Sequence, residues 1–121
     1  MTQQRWIYQR SAITRIIDGD TVVADIDVGF RTTIAKTLRL YGINTPEPRG
    51  ASRPEGLKAT QHLKDLLHRD QKIVVETLAD KTGKYGRYLA IIYNPDAADF
   101  QWDYSINCRM LADGHAKPMN F

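Results

Sequence analysis

Apolar and polar residues alternate one for one through residues 22–28, where Val22, Ala24, Ile26 and Val28 stand against Val23, Asp25 and Asp27. Successive side chains of a strand point to opposite faces, so this pattern predicts a half-buried strand. Ser11–Ile17 predicts a strand before it and Thr32–Leu40 one after it, with Gly29-Phe30 as the intervening turn. In the third strand Leu38 and Leu40 share one face, and Arg39 and Tyr41 the other. The three strands form a meander whose first turn is Asp18-Gly19-Asp20. The period then changes. Ala59, Leu63, Leu66 and Leu67 recur at helical spacing and predict an amphipathic helix over about 53–69. Ser52-Arg53-Pro54-Glu55 has the form of a capping box, and a proline so early removes only an N–H that lacks an intrahelical partner. The β-branched runs Lys72–Leu78 and Tyr88–Tyr93 predict two further strands, the second ended by Asn94-Pro95-Asp96. Beyond a polar loop, Asp103 as N-cap with Tyr104, Cys108 and Leu111 predicts a short second helix that stops at Gly114.

Three strands, a helix, two strands and a short C-terminal helix is the element order of a β-rich α+β fold. It is that of a five-stranded OB barrel with its helix between strands 3 and 4. The length of 121 residues accommodates one domain spanning 1–121. An apolar fraction of 42% and a charged fraction of 26% belong to a globular protein and exclude a disordered one. The single Cys108 excludes an internal disulfide framework, and its neighbours Ile106, Met110 and Leu111 predict a buried apolar side chain. The start, Met1-Thr2-Gln3-Gln4-Arg5-Trp6-Ile7, has no apolar core or cleavage pattern of a secretory signal, and no apolar run is long enough to span a membrane. The expectation is a soluble cytoplasmic protein without a membrane partner.

A net charge of +3 favours polyanions only mildly, but its placement is more pointed. Arg39, Arg49, Arg53, Lys58, Lys81, Lys84 and Arg87 lie in or beside three short segments: Asp18-Gly19-Asp20-Thr21, Arg39 to Glu47, and Lys84-Tyr85-Gly86-Arg87. Asp20 begins one strand and Asn44 follows the end of another, so neighbouring strands would bring both to one rim. Carboxylate, amide and backbone oxygens suit a hard cation. Alternatively, Asp18-Gly19-Asp20 is simply a turn. Glu47, between Pro46 and Pro48, sits on a stiff loop suited to a general base for water, or is a solvated loop carboxylate. Arg39 faces opposite to Leu38 and Leu40, either as a phosphate ligand or as an exterior residue paired with Asp25 or Asp27. Two guanidinium groups, Arg39 and Arg87, can each grip two phosphate oxygens. His62, His68 and His115 show no ligand or triad spacing, and His62 and His68 fall on the helix surface. There is no zinc pattern, phosphate-cradling glycine loop or serine nucleophile motif.

On these residues the chain resembles the staphylococcal (thermonuclease, micrococcal-nuclease-like) family from about Ser11 to Lys117. The resemblance rests on Ile17-Asp18-Gly19-Asp20-Thr21-Val22, Leu38-Arg39-Leu40 through Thr45-Pro46-Glu47, Lys84-Tyr85-Gly86-Arg87-Tyr88-Leu89-Ala90, and Leu111-Ala112-Asp113-Gly114-His115-Ala116-Lys117. It implies an OB barrel and calcium-dependent hydrolysis of DNA and RNA that cuts the 5′-oxygen–phosphorus bond and leaves 3′-phosphates. It implies Asp20, Asn44 and the Thr45 carbonyl as metal ligands, and Glu47 as general base. Arg39 and Arg87 fall on the arginines that stabilise the transition state, and Lys84 and Tyr85 on positions that contact a neighbouring phosphate. Asn44 departs from the family's aspartate, which predicts weaker metal affinity and a changed preference among Ca²⁺, Mg²⁺ and Mn²⁺. Past Lys117 the family continues into aromatic residues near the nucleotide base and then a third helix, which have no counterpart before Phe121, so base stacking is expected to be weak or to fall to Phe121. The flank that helix would cover is expected to be exposed in a monomer or buried in a homodimer. The alternative function is a catalytically weakened nucleic-acid-binding OB module. A third is an interaction protein using the acidic, aromatic stretch Asp96–Tyr104.

Overall fold

The computed structural model of the chain describes residues 5–82 and 87–120. Strands β1 (Arg5–Asp18), β2 (Thr21–Asp27) and β3 (Thr33–Leu40) form the expected meander. A two-residue ribbon strand β4 (Ile43–Asn44), helix α1 (Arg53–Leu66), β5 (Lys72–Thr82), β6 (Tyr88–Tyr93), helix α2 (Ile106–Ala112) and a short β7 (Lys117–Pro118) follow. The five long strands close a barrel in the order β1-β2-β3-β6-β5, the OB fold that the element order predicts. Closure depends on a short parallel seam, Leu38↔Tyr88, Arg39↔Leu89 and Leu40↔Ala90.

The alternation in 22–28 has its physical outcome here. Val22, Ala24 and Ile26 are buried in the barrel with Ile13, Leu38, Leu40, Ile73, Val75, Ala90 and Ile92, and α1 lays Ala59 and Leu63 against them. On the outer face of β5 and β6, Val74, Ile91 and Tyr93 are covered by Phe100 and Trp102. The loop after β6 is therefore a lid on the second face of those two strands. Glu76 is buried under it, accepts the Tyr93 hydroxyl at 2.7 Å, and pairs with Arg5. Arg5 also donates to the Phe100 carbonyl at 2.8 Å, so this buried carboxylate is compensated by hydrogen bonds and a cation. Burial and the Glu76 hydrogen bond push the Tyr93 phenol up. Asn107, fully buried on α2, accepts from Ile92 N and donates to the Tyr41 and Ala90 carbonyls, which fastens α2 beside the barrel seam.

Several local expectations are corrected. The first strand starts at Arg5, because Arg5–Tyr8 pairs with Val75–Leu78 of β5, a distant partner that no local pattern reveals. The first helix ends at Leu66, where Leu67 is extended. Ser52 does not form the capping box; its hydroxyl donates to the Glu47 carbonyl at 2.8 Å instead. Asp103 is not the N-cap of α2. That cap is Ser105, whose hydroxyl accepts from Cys108 N at 3.0 Å, while Trp102–Tyr104 forms a 3₁₀ turn. Tyr104 is exposed rather than part of a helical stripe, and Cys108 is half-buried rather than in the core. His62 is not a free surface residue, since it contacts Asp113 at 2.6 Å and stacks on His115. Among the described residues, no helix is long and apolar enough to cross a membrane.

Candidate functional site

The β1–β2 hairpin turns on Gly19-Asp20, and close packing explains the glycine: a Cβ at Gly19 would meet Ala59 Cβ and Thr45 Oγ1 at 2.9 Å. That approach brings Asp20 against the segment after β4. Thr45 donates twice to Asp20 Oδ2, from N at 3.1 Å and from Oγ1 at 3.0 Å, and Arg39 Nη2 lies 3.3 Å from the same oxygen. Asp20 Oδ1 accepts from the Thr21 hydroxyl at 3.1 Å, and that hydroxyl in turn accepts from Arg87 Nη1 at 3.2 Å. Arg87, Thr21, Asp20 and Thr45 are thus one continuous chain of hydrogen bonds.

Arg39 is buried, and its partner is Asp20 rather than Asp25 or Asp27. Nη1 donates to the Leu40 and Ile43 carbonyls, both at 2.9 Å, and Nη2 to Asn44 Oδ1 at 3.2 Å. One planar fork therefore holds the β3–β4 turn and fixes Asn44 relative to Asp20. Burial lowers the Arg39 guanidinium from its ordinary value, and Arg87 lowers it further. Asp20, Asp18 and Glu47 pull the other way, so all four groups share its field. Asp18, half-buried beside Asp20, is pushed up to about 6 by burial first and by the neighbouring carboxyl second.

Glu47 is placed differently from the rest. Its side chain is 71% exposed and lies 3.9 Å from the equally exposed Arg49, a weak pair in water. Its backbone, by contrast, is tightly held. A Cβ at Gly56 of α1 would fall 2.2 Å from the Glu47 carbonyl oxygen, so only glycine lets the helix approach the loop. Gly56→Ala is expected to cost about 1–3 kcal/mol through this overlap and to displace the Glu47 loop. Urea denaturation would read the first effect and the altered chemical shifts of residues 45–49 the second.

The donor set of Asp20, Asn44 and the Thr45 carbonyl, with Asp18 adjacent, is all oxygen and fits a hard divalent cation. Among the described residues Asp20 Oδ1 accepts one hydrogen bond, from the Thr21 hydroxyl, and has capacity to ligate. Among the described residues there is no cluster of three His, Cys, Asp or Glu side chains able to hold a metal. Backbone carbonyls and water would have to complete the shell. A groove of about 290 Å³ opens beside these ligands, lined by Asn44–Pro46 and 114–117.

The structure thus brings Asp20, Asn44, Thr45, Arg39 and Arg87 together at one rim, with Glu47 on the adjoining loop. Lys84 and Tyr85 lie outside the described residues, as does Phe121. Thr21, Gly56 and Lys117 were not assigned roles from the sequence. A glycine inside a helical pattern was a usable signal for Gly56. The pairing of Lys117 with Asn44 across the β4–β7 ribbon had none, because two-residue strands lie below any periodicity.

Residues 37–121 match the family described as Staphylococcal nuclease homologue. The chain is 38% identical over 90 residues to a micrococcal nuclease of Shigella flexneri, covering 74% of this chain and 45% of that protein. It is 34% identical over 88 residues to the thermonuclease of Staphylococcus hyicus, covering 70% and 48%. It is 33% identical over 87 residues to that of Staphylococcus intermedius, covering 69% and 48%. The chain spans about half the length of the curated relatives it matches. It belongs to the staphylococcal nuclease homologue family.

Proposed function

We propose that the protein is a metal-dependent nuclease that hydrolyses phosphodiester bonds of DNA or RNA. The observation that carries this reading is the single hydrogen-bonded cluster of Arg87, Thr21, Asp20, Thr45, Arg39 and Asn44 beside the Glu47 loop. Names of the relatives, micrococcal nuclease and thermonuclease, point the same way. Glu47 takes a proton from water as its oxygen attacks phosphorus. The phosphorus–5′-oxygen bond breaks opposite, leaving a 3′-phosphate, and the departing oxygen takes a proton from solvent. Arg87 and Arg39 oppose the charge that grows on the phosphorus oxygens, and their fixed placement spares reorganisation during the reaction. Asp20, Asn44 and the Thr45 carbonyl hold the cation, Ca²⁺ by family resemblance, with Mg²⁺ or Mn²⁺ as substitutes. When bound, it supplies positive charge to the phosphate. Lys84 and Tyr85 bind the neighbouring phosphate in this reading.

A plasmid-nicking and RNA-degradation assay with Ca²⁺, Mg²⁺, Mn²⁺ or chelator tests the proposal. Cleavage is expected with a divalent cation and abolished by chelator. Asn44→Asp adds a negative charge to the donor set and is expected to lower the Ca²⁺ concentration for half-maximal rate severalfold. Cleavage that persists in chelator would sink the mechanism. Asn44 itself favours a second reading, a nucleic-acid-binding OB module without catalysis. Strand binding with no cleavage under any of the three metals would select it.

A further inference from the structure

We propose that the open end of the barrel is a nucleobase subsite. There a base of a single-stranded segment stacks among Trp6, Tyr8 and Tyr88 while Lys36 holds an adjoining phosphate. The inference rests on the reading of this chain as one that acts on nucleic acid, and it concerns a surface apart from the Asp20 cluster. Strand register creates the opening. Ile34, Lys36 and Leu38 stand opposite Ile26, Ala24 and Val22, so they share the barrel's interior face. Strand β6 joins β3 only from Leu38 onward, so among the described residues 33–37 have no β6 partner. The interior is therefore accessible there through a cavity of about 270 Å³, lined by Trp6, Tyr8, Ile34, Lys36 and Tyr88 with neighbouring aliphatics.

Lys36 makes this mouth more than an apolar hollow. It points inward, is half-buried, and its ammonium lies 5.5 Å from the centroid of the Tyr88 ring. Among the described residues no Asp or Glu lines the cavity, and no carboxylate forms an ion pair with Lys36. A partly desolvated cation over an aromatic face is complementary to a phosphate whose base stacks beside it. Trp6 and Tyr88 are each 41% exposed, so their rings are available to stack. Position along the strand adds continuity. Tyr88 directly follows Arg87, whose guanidinium reaches Thr21 in the candidate site, so one nucleic-acid strand could meet both. A second copy of the chain is the competing occupant. Symmetric pairing through this mouth would turn one Lys36 toward the other, a like-charge contact without compensation.

The test titrates fluorescein-labelled oligothymidylate, and an abasic strand of equal length, into the protein in chelator. Fluorescence anisotropy reads binding. Wild type is expected to bind the base-containing strand about tenfold tighter. Tyr88→Ala should remove most of that preference, and Lys36→Met should weaken binding of both strands severalfold, with near-ultraviolet circular dichroism verifying the fold. Equal affinity for the two strands, or wild-type affinities in folded Lys36→Met, would overturn the subsite. So would a dimer, seen by sedimentation, that Tyr88→Ala dissolves without changing strand binding. The titration needs no cleavage, so a failed metal assay with base preference intact removes the nuclease reading and keeps the subsite. Cleavage without base preference does the reverse.

Discussion

Replacing Glu47 by Gln is expected to slow cleavage by about 10²–10⁴-fold and to leave the melting temperature where it is. The two halves of that expectation come from different parts of the residue. The carboxylate is 71% exposed and its ion-pair partner among the described residues, Arg49, is exposed at 3.9 Å, so folding gains little from its charge. The backbone does the structural work. Its carbonyl accepts from Ser52, and the chain there packs on Gly56, and neither contact changes in the amide. Glutamine retains the shape and loses the capacity to accept a proton from water. Single-turnover cleavage beside a thermal melt separates the two. An unchanged rate would remove Glu47 from the chemistry, whereas a lowered melting temperature would assign its side chain a structural task.

Arg39 is expected to behave in the opposite way, with folding and rate falling together. Arg39→Ala leaves the Leu40 and Ile43 carbonyls without this donor and Asp20 without its cation. Removing one member of a buried, hydrogen-bonded pair costs about 3–5 kcal/mol, a large share of the stability of a small domain. Arg39→Lys is the informative variant. An ammonium keeps the charge near Asp20 but cannot span two carbonyls and Asn44 at once. Its stability loss should be smaller, while the rate should still fall by about 10²–10³-fold because the fork that fixes Asn44 against Asp20 is gone. Urea denaturation and single-turnover kinetics on both variants check this. Full activity in Arg39→Lys would mean that the guanidinium serves the framework alone.

What could be seen in the sequence divides along physical lines. Alternation in 22–28 and the helical stripe from Ala59 to Leu67 are local consequences of burial, so strands, helix and barrel order were legible. Asp20 and Asn44 were legible from their places at strand ends, and the set with Thr45, Arg39 and Arg87 through the family resemblance. The partner of Arg39 was not. Choosing Asp20 over Asp25 or Asp27 requires knowing that Leu40 N bonds to Asp20 O at 2.8 Å, across strands. Caps failed for a related reason. Ser52 matched a local motif, yet a tertiary acceptor, the Glu47 carbonyl, took its hydroxyl. The Arg5–Tyr8 extension and the β4–β7 ribbon depend on partners far along the chain, and no window of residues contains both sides.

The parallel seam of Leu38, Arg39 and Leu40 with Tyr88, Leu89 and Ala90 is brief, and it unites segments that are remote in the chain. Such encounters are slow to form because the intervening loop must be closed at an entropic cost. Arg39 and Arg87 sit at the two sides of that junction. On the proposed nuclease reading, a chain whose barrel is open would carry the same side chains and yet be inert, since Arg39 and Arg87 are brought together by the seam. On that reading, the contact that closes the barrel is also the one that assembles the catalytic set.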